Sequence, residues 1–102
     1  MRISVLINDE HCVEIYFEEL GYWEEFDVIL EVLERKGCSV YTNQEMVYAR
    51  RSELGKDGIN FTLVHDSALG NFLFSTQLGD LNFLSNLGDE IIKDIQARLG
   101  FE

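Results

Sequence analysis

Residues 55–77 read GKDGINFTLVHDSALGNFLFSTQ, and the fold turns on them. Gly55-Lys56-Asp57-Gly58 is a turn signal. After it, Ile59, Phe61 and Leu63 alternate with Asn60, Thr62 and Val64, the two-residue period of a strand. His65 to Asn71 turns again through Asp66-Ser67 and Gly70. Phe72, Phe74 and Thr76 then alternate with Leu73, Ser75 and Gln77. Two such runs joined by a short turn pair antiparallel.

The same period extends upstream. Cys38 to Arg51 is β-like through Val40, Tyr41, Thr42, Val47 and Tyr48, with Asn43-Gln44-Glu45 either a turn inside it or the polar part of one bent strand. At the start of the chain, Ile3, Val5 and Ile7 alternate as a first strand, and Asn8-Asp9-Glu10 turns. His11 to Phe17 forms a second strand, with Val13, Ile15 and Phe17 on one side and Cys12, Glu14 and Tyr16 on the other.

The period changes after Gly21. Tyr22, Phe26, Ile29, Leu30 and Leu33 share one helical face, which predicts a helix over 22–36. Glu24, Glu25 and Asp27 stand at its positive end, Arg35 and Lys36 at its negative end, and Gly37 caps it. Residues 78–85 read as a helix start or a packed loop. From an Asn86 cap with Asp89 three residues on, Leu87, Ile91, Ile95 and Leu99 recur every four residues, and Arg98 and Gly100 close the helix. Gly88 in this helix costs about 1 kcal/mol relative to Ala. The order ββαβββα predicts one α+β domain over 1–102, a single antiparallel or mixed sheet with two helices packed on one face.

Charge is distributed unevenly. Of the 102 residues, 19 are acidic and eight are Lys or Arg, a net charge of −11. Residues 1–34 hold ten acids and one base, Arg2. Such an imbalance destabilises a compact state by self-repulsion, so it serves either solubility or a basic partner. Arg50, Arg51 and Lys56 are too few to hold nucleic acid against that field, and pairing with the chain's own acids accounts for them better.

Signatures for chemistry are absent. His11 and His65 lie beside turns without metal-ligand spacing, and read as ordinary surface or edge histidines. No phosphate-binding glycine loop, nucleophile elbow or CxxC is present, so no cofactor, metal site or catalytic residue is expected and the chain reads as a non-enzyme. The apolar stretch near Met1 is too short for a signal peptide, and no apolar run approaches a membrane span. A cytoplasmic protein with Cys12 and Cys38 as free thiols is the expectation.

The distinctive stretch is EIYFEELGYWEEFD, residues 14–27. Carboxylates interleave with aromatic rings, the pairing of buried area and charge that a surface for a cationic protein uses. Its candidate partner-binding residues are Glu14, Tyr16, Glu18, Glu19, Trp23, Glu24, Glu25 and Asp27. The plainer alternative is a solvated acidic surface with Trp23 packed on a sheet edge.

In type and layout, the strand pair in FTLVHDSALGNFLFSTQ (residues 61–77) and the Leu/Ile-rich C-terminal helix resemble bacterial toxin-immunity proteins of contact-dependent inhibition and related polymorphic toxin systems. That resemblance implies a 1:1 inhibitor of a cognate basic toxin domain, often a nuclease, acting by covering its active site or substrate groove without touching nucleic acid or membrane. It assigns no individual residue. The alternatives are a phage or plasmid inhibitor that mimics nucleic-acid charge, and a small enzyme or subunit whose acidity serves solubility.

Overall fold

The alternating segments become six strands. A computed structural model describes residues 1–99, with β1 (Arg2–Ile7), β2 (Val13–Glu18), α1 (Trp23–Arg35), β3 (Ser39–Glu45), β4 (Ala49–Lys56), β5 (Ile59–Asp66), β6 (Gly70–Ser75) and α2 (Leu81–Leu99). The strands form one sheet in the order β1-β2-β6-β5-β4-β3, and every neighbouring pair is antiparallel. β3 to β6 are a meander, and the β1–β2 hairpin joins it along β6. α1 packs on β5 and β6, α2 packs on β1 and β2, and the helices touch each other. This is the expected α+β arrangement, with both helices on one face. Between the layers lie Val13, Ile15, Phe17, Leu54, Leu63 and Leu73 from the sheet, and Phe26, Ile29, Leu33, Leu84 and Ile91 from the helices.

Local chemistry explains the joints. Asp57 and Gly58 both have positive φ, 54° and 80°, the two-residue hairpin turn whose twist matches its strands. Asp66 Oδ1 accepts hydrogen bonds from the Ala68 and Leu69 amides and holds the β5–β6 turn. α1 begins with Glu25 accepting a hydrogen bond from the Tyr22 amide at 2.9 Å, and ends with the Cys38 amide reaching back to the Leu33 carbonyl at 3.1 Å across Gly37. Gly88 is explained by α2 lying close to the sheet: a Cβ there would sit 3.1 Å from methyl carbons of both Ile3 and Ile15.

Several expectations are corrected. The second strand starts at Val13 because His11, at φ 61°, still belongs to the turn. Asn43-Gln44-Glu45 lies inside β3, and the turn falls at Met46–Tyr48, so the β-like run is a hairpin. Leu78–Asp80 is a short 3-10 turn that leads into α2 at Leu81, five residues before the expected Asn86 cap. Tyr22 fits the apolar period but stands just before α1 and is 74% exposed. His65 is buried beneath α1. The expected Gly100 stop lies outside the described residues, as does the side chain of Leu99.

The opposite sheet face carries no helix. Register places Leu6, Glu14, Tyr16, Thr62, Val64, Phe72, Phe74, Arg51 and Glu53 there. A bulge between Val40 and Thr42 adds Tyr41, which lies over Gly55. Both cysteines are unpaired. They precede β2 and β3, four strand spacings apart, on the order of 19 Å and beyond disulfide reach. Among the described residues, no helix is long and apolar enough to cross a membrane.

Candidate protein-binding surface

Three connectors meet at one end of the sheet: residues 19–22 between β2 and α1, Met46–Tyr48 between β3 and β4, and residues 67–69 between β5 and β6. They are tied together. The Ser67 amide donates to the Tyr48 carbonyl at 3.1 Å. Gly21 and Gly70 approach so closely that a Cβ on Gly70, itself at φ 92°, would lie 3.2 Å from Gly21 Cα.

Beneath them runs a buried polar network. Asn71, 1% exposed, donates through Nδ2 to the carbonyls of Leu20 at 2.6 Å and Tyr22 at 3.0 Å. Its Oδ1 meets His65 Nδ1 at 2.9 Å, which calls for a proton on that ring nitrogen. Trp23 stands edge-on to His65, with ring centroids 5.4 Å apart. The Arg50 guanidinium lies over Phe26 at 4.3 Å and Trp23 at 5.2 Å, and forks onto Asp27 at 2.6 and 2.9 Å. Those hydrogen bonds hold the Asp27 carboxyl below its ordinary range and raise the Arg50 pKa. Strands β4, β5 and β6 thus fix the start of α1.

On this foundation the connectors present apolar side chains to solvent. Val47 is 81% exposed, Tyr48 and Tyr22 are each 74%, and Met46 and Leu69 are about half exposed. A shallow depression of about 590 Å³ lies among Glu19, Tyr22, Ala68 and Leu69. Glu18, Glu45 and Asp66 end or begin turns at this end, and Glu24 and Glu25 open α1 here. Exposed aromatic and aliphatic side chains on tied turns, bordered by carboxylates, are suited to contact with a protein surface.

The structure divides the eight candidate residues among three places. Glu19, Glu24 and Glu25 lie at the connector end, with Glu25 also capping α1. Trp23 and Asp27 are engaged by Arg50, although the Asp27 side chain remains 62% exposed. Glu14, Tyr16 and Glu18 stand on the open sheet face. There the Tyr16 hydroxyl donates to Glu14 at 2.8 Å, and its ring lies 4.7 Å from Phe72. Burial, reinforced by that carboxylate, pushes the Tyr16 pKa up to about 12. Glu18 accepts hydrogen bonds from Ser4 and Arg2, which lower its pKa. Beside this group, Arg51 and Phe74 line two adjoining grooves of about 350 and 170 Å³.

Met46, Val47, Tyr48 and Leu69 are surface residues that the sequence pattern conceals. Val47 and Tyr48 read as strand residues because only the hairpin register shows them at a turn. The signal available was an apolar Met-Val-Tyr run next to the polar Asn-Gln-Glu. Pairing with the chain's own acids was expected for Arg50, Arg51 and Lys56; Arg50 pairs with Asp27, whereas Lys56 donates to the Lys36 carbonyl and, among the described residues, Arg51 has no carboxylate within 4 Å. Among the described residues, no three His, Cys, Asp or Glu side chains group in a way that would hold a metal. No protein family, curated protein or solved structure matches this chain.

Proposed function

We propose that this chain is a binding protein, an immunity protein that neutralises a basic toxin domain by seating its connector end on the toxin's active site or substrate groove. The observation that carries this reading is the group Tyr22, Met46, Val47, Tyr48 and Leu69, exposed on connectors held by the Ser67–Tyr48 bond and the Asn71 side chain at an end bordered by carboxylates. The rings and aliphatic chains supply area to exclude water, and the carboxylates supply attraction and orientation. Part of the acidic charge is left without an internal counter-charge: among the described residues, Glu14, Glu24, Glu25, Glu34 and Glu53 have no cation within 4 Å. Charge mimicry of a nucleic acid is the weaker reading, because the acids are spread over the β1–β2 turn, the open sheet face and α1.

The test pairs this protein with the product of the gene immediately upstream of its own. A 1:1 complex by calorimetry, with protection of cells expressing that product, is expected. Tyr48→Ala and Leu69→Ala together should abolish protection without unfolding the chain. Glu24→Gln with Glu25→Gln should slow association and weaken its dependence on salt. Retained protection in the Tyr48/Leu69 variant would remove the connector end from the reading. Absence of any complex would remove the immunity role.

A further inference from the structure

The sheet has two edges of different character. β3, SVYTNQE, is polar along most of its length and broken by the bulge at Tyr41, features that discourage strand addition. β1, RISVLI, has no bulge, keeps regular register with β2 from Arg2 to Ile7, and carries no Lys, Pro or inward-facing charge. Val5, Leu6 and Ile7 are exposed on it. Arg2, at its start, is the one charged residue in β1.

The hydrogen-bond phase shows which groups that edge offers. The Asn8 amide bonds the Cys12 carbonyl at 3.1 Å, one of the two bonds of a hydrogen-bonded pair, while the Cys12 amide returns to Asn8 Oδ1; this single bond sets the phase of the ladder. Antiparallel pairs alternate, so Leu6–Glu14, Ser4–Tyr16 and Arg2–Glu18 direct their backbone groups to each other. Ile3, Val5 and Ile7 therefore direct their N–H and C=O groups away from β2.

We propose that β1 pairs antiparallel with β1 of a second copy of this chain about a two-fold axis at Val5, joining two sheets edge to edge. Val5 then faces Val5 of the second copy, and Ile3 faces its Ile7. All three resulting pairs are of the hydrogen-bonded kind, so every outward group of Ile3, Val5 and Ile7 is matched. The side chains of these three residues continue the apolar row beside Ile15 and Val13. The charges also complement. The register sets Arg2, whose side chain is 80% exposed and reaches Glu18 of its own chain at 3.3 Å, opposite Asn8 of the second copy and next to Asp9 and Glu10 in its turn. Two such contacts form, one at each end, on a molecule that otherwise repels its own kind. An edge contact buries less than the ~800 Å² per partner of a standard interface, the size class of weak, transient association. This inference stands independently of the proposed function.

The experiment is sedimentation velocity combined with residue-resolved amide exchange on the full chain, across a low-to-high micromolar concentration series. A dimer is expected at the high end. The Ser4 and Leu6 amides should be protected throughout. The Ile3, Val5 and Ile7 amides should become protected only as the dimer forms, by about tenfold or more. Val5→Pro removes an outward donor at an edge position that tolerates proline, and should weaken dimerisation about tenfold or more. Arg2→Asp should also weaken it, and the double variant Arg2→Asp/Asp9→Arg should restore it. A chain that stays monomeric at every concentration overturns the proposal. So does a dimer in which the three amides stay unprotected, or a charge swap that fails to rescue. If Val5→Pro does not fold, the charge swap and the exchange pattern decide alone.

Discussion

Asn71 is a single side chain on which the connector end rests, and Asn71→Asp tests it with almost no change in shape. The wild-type amide nitrogen donates to two carbonyls, at 2.6 and 3.0 Å, and the side chain is 1% exposed. In the variant an acceptor oxygen takes the nitrogen's place and meets two more acceptors. Losing two hydrogen bonds costs about 2 kcal/mol in all. Confining a carboxylate against the Leu20 and Tyr22 carbonyls, with His65 Nδ1 still donating to its other oxygen, adds roughly 1–3 kcal/mol, giving a total of about 3–5 kcal/mol at neutral pH. A chain of this size has roughly 5–15 kcal/mol of stability, so folded protein remains measurable. The sign with pH is fixed. The buried carboxyl has a folded-state pKa raised above its unfolded value, so the penalty is complete above the raised pKa and shrinks as pH falls through it. When protonated, the carboxyl regains one donor for the Leu20 carbonyl. Urea unfolding of both proteins at neutral and mildly acidic pH, followed by circular dichroism and Trp23 fluorescence, gives the difference directly. A loss below about 1 kcal/mol at neutral pH, or one that grows on acidification, refutes the reasoning.

Gly88→Val places branched carbons against Ile3 and Ile15, where even a Cβ would sit at 3.1 Å, and should lower stability by about 1–3 kcal/mol in urea titration despite removing a helical glycine. Tyr16 should ionise late in an ultraviolet titration, near its pKa of about 12, and Tyr16→Phe should remove that step. Because that pKa is raised on folding, the stability it contributes is full below about pH 10 and is lost as pH rises toward 12, a fall that Tyr16→Phe should remove. Gly55→Ala puts a methyl where the Tyr41 hydroxyl now lies; because exposed Tyr41 can swing away, stability should change by less than about 1 kcal/mol while tyrosine fluorescence shifts.

Local pattern carries local structure well here. The spacing of Phe26, Ile29, Leu30 and Leu33 specifies α1 because only one helical face can be buried at once. The Asp57-Gly58 turn is legible because few residues accept its backbone. Alternation leaves one quantity open, which of two faces is inside. Phe72 and Phe74 are as apolar as Leu73, yet they face away from the helices, because Leu73 is registered with Ile15 and Leu63 on the core face. The candidate surface was harder to read for the same reason. Glu14, Tyr16 and Glu18 share a strand face, whereas Trp23, Glu24 and Glu25 begin a helix on the other side of the sheet. The chain changes sides at Glu19, which has a φ of 69°. Continuity in sequence is therefore not continuity of surface. The Asn71, His65 and Arg50 network depends on residues 20–27 meeting residues 50–71, which no local period encodes.

The placement of β6 between β2 and β5 has a consequence for the order of assembly. Tyr16 pairs with Phe72 and Val13 with Ser75, so this seam joins residues 56 to 62 positions apart, whereas the other ladders in the sheet link strands consecutive in sequence. The hairpins can close early over short loops, and the seam must wait for the far end of the chain. During synthesis β2 is complete long before β6 exists, and its inner edge stays unsatisfied until residue 75 has emerged. Seam residues such as Ile15 and Leu73 are therefore expected to act mainly on the closing step, and turn residues such as Gly58 on the earlier ones. Folding kinetics of Ile15→Val and Gly58→Ala would separate the two. If they give equal φ-values, the seam is not a distinct stage.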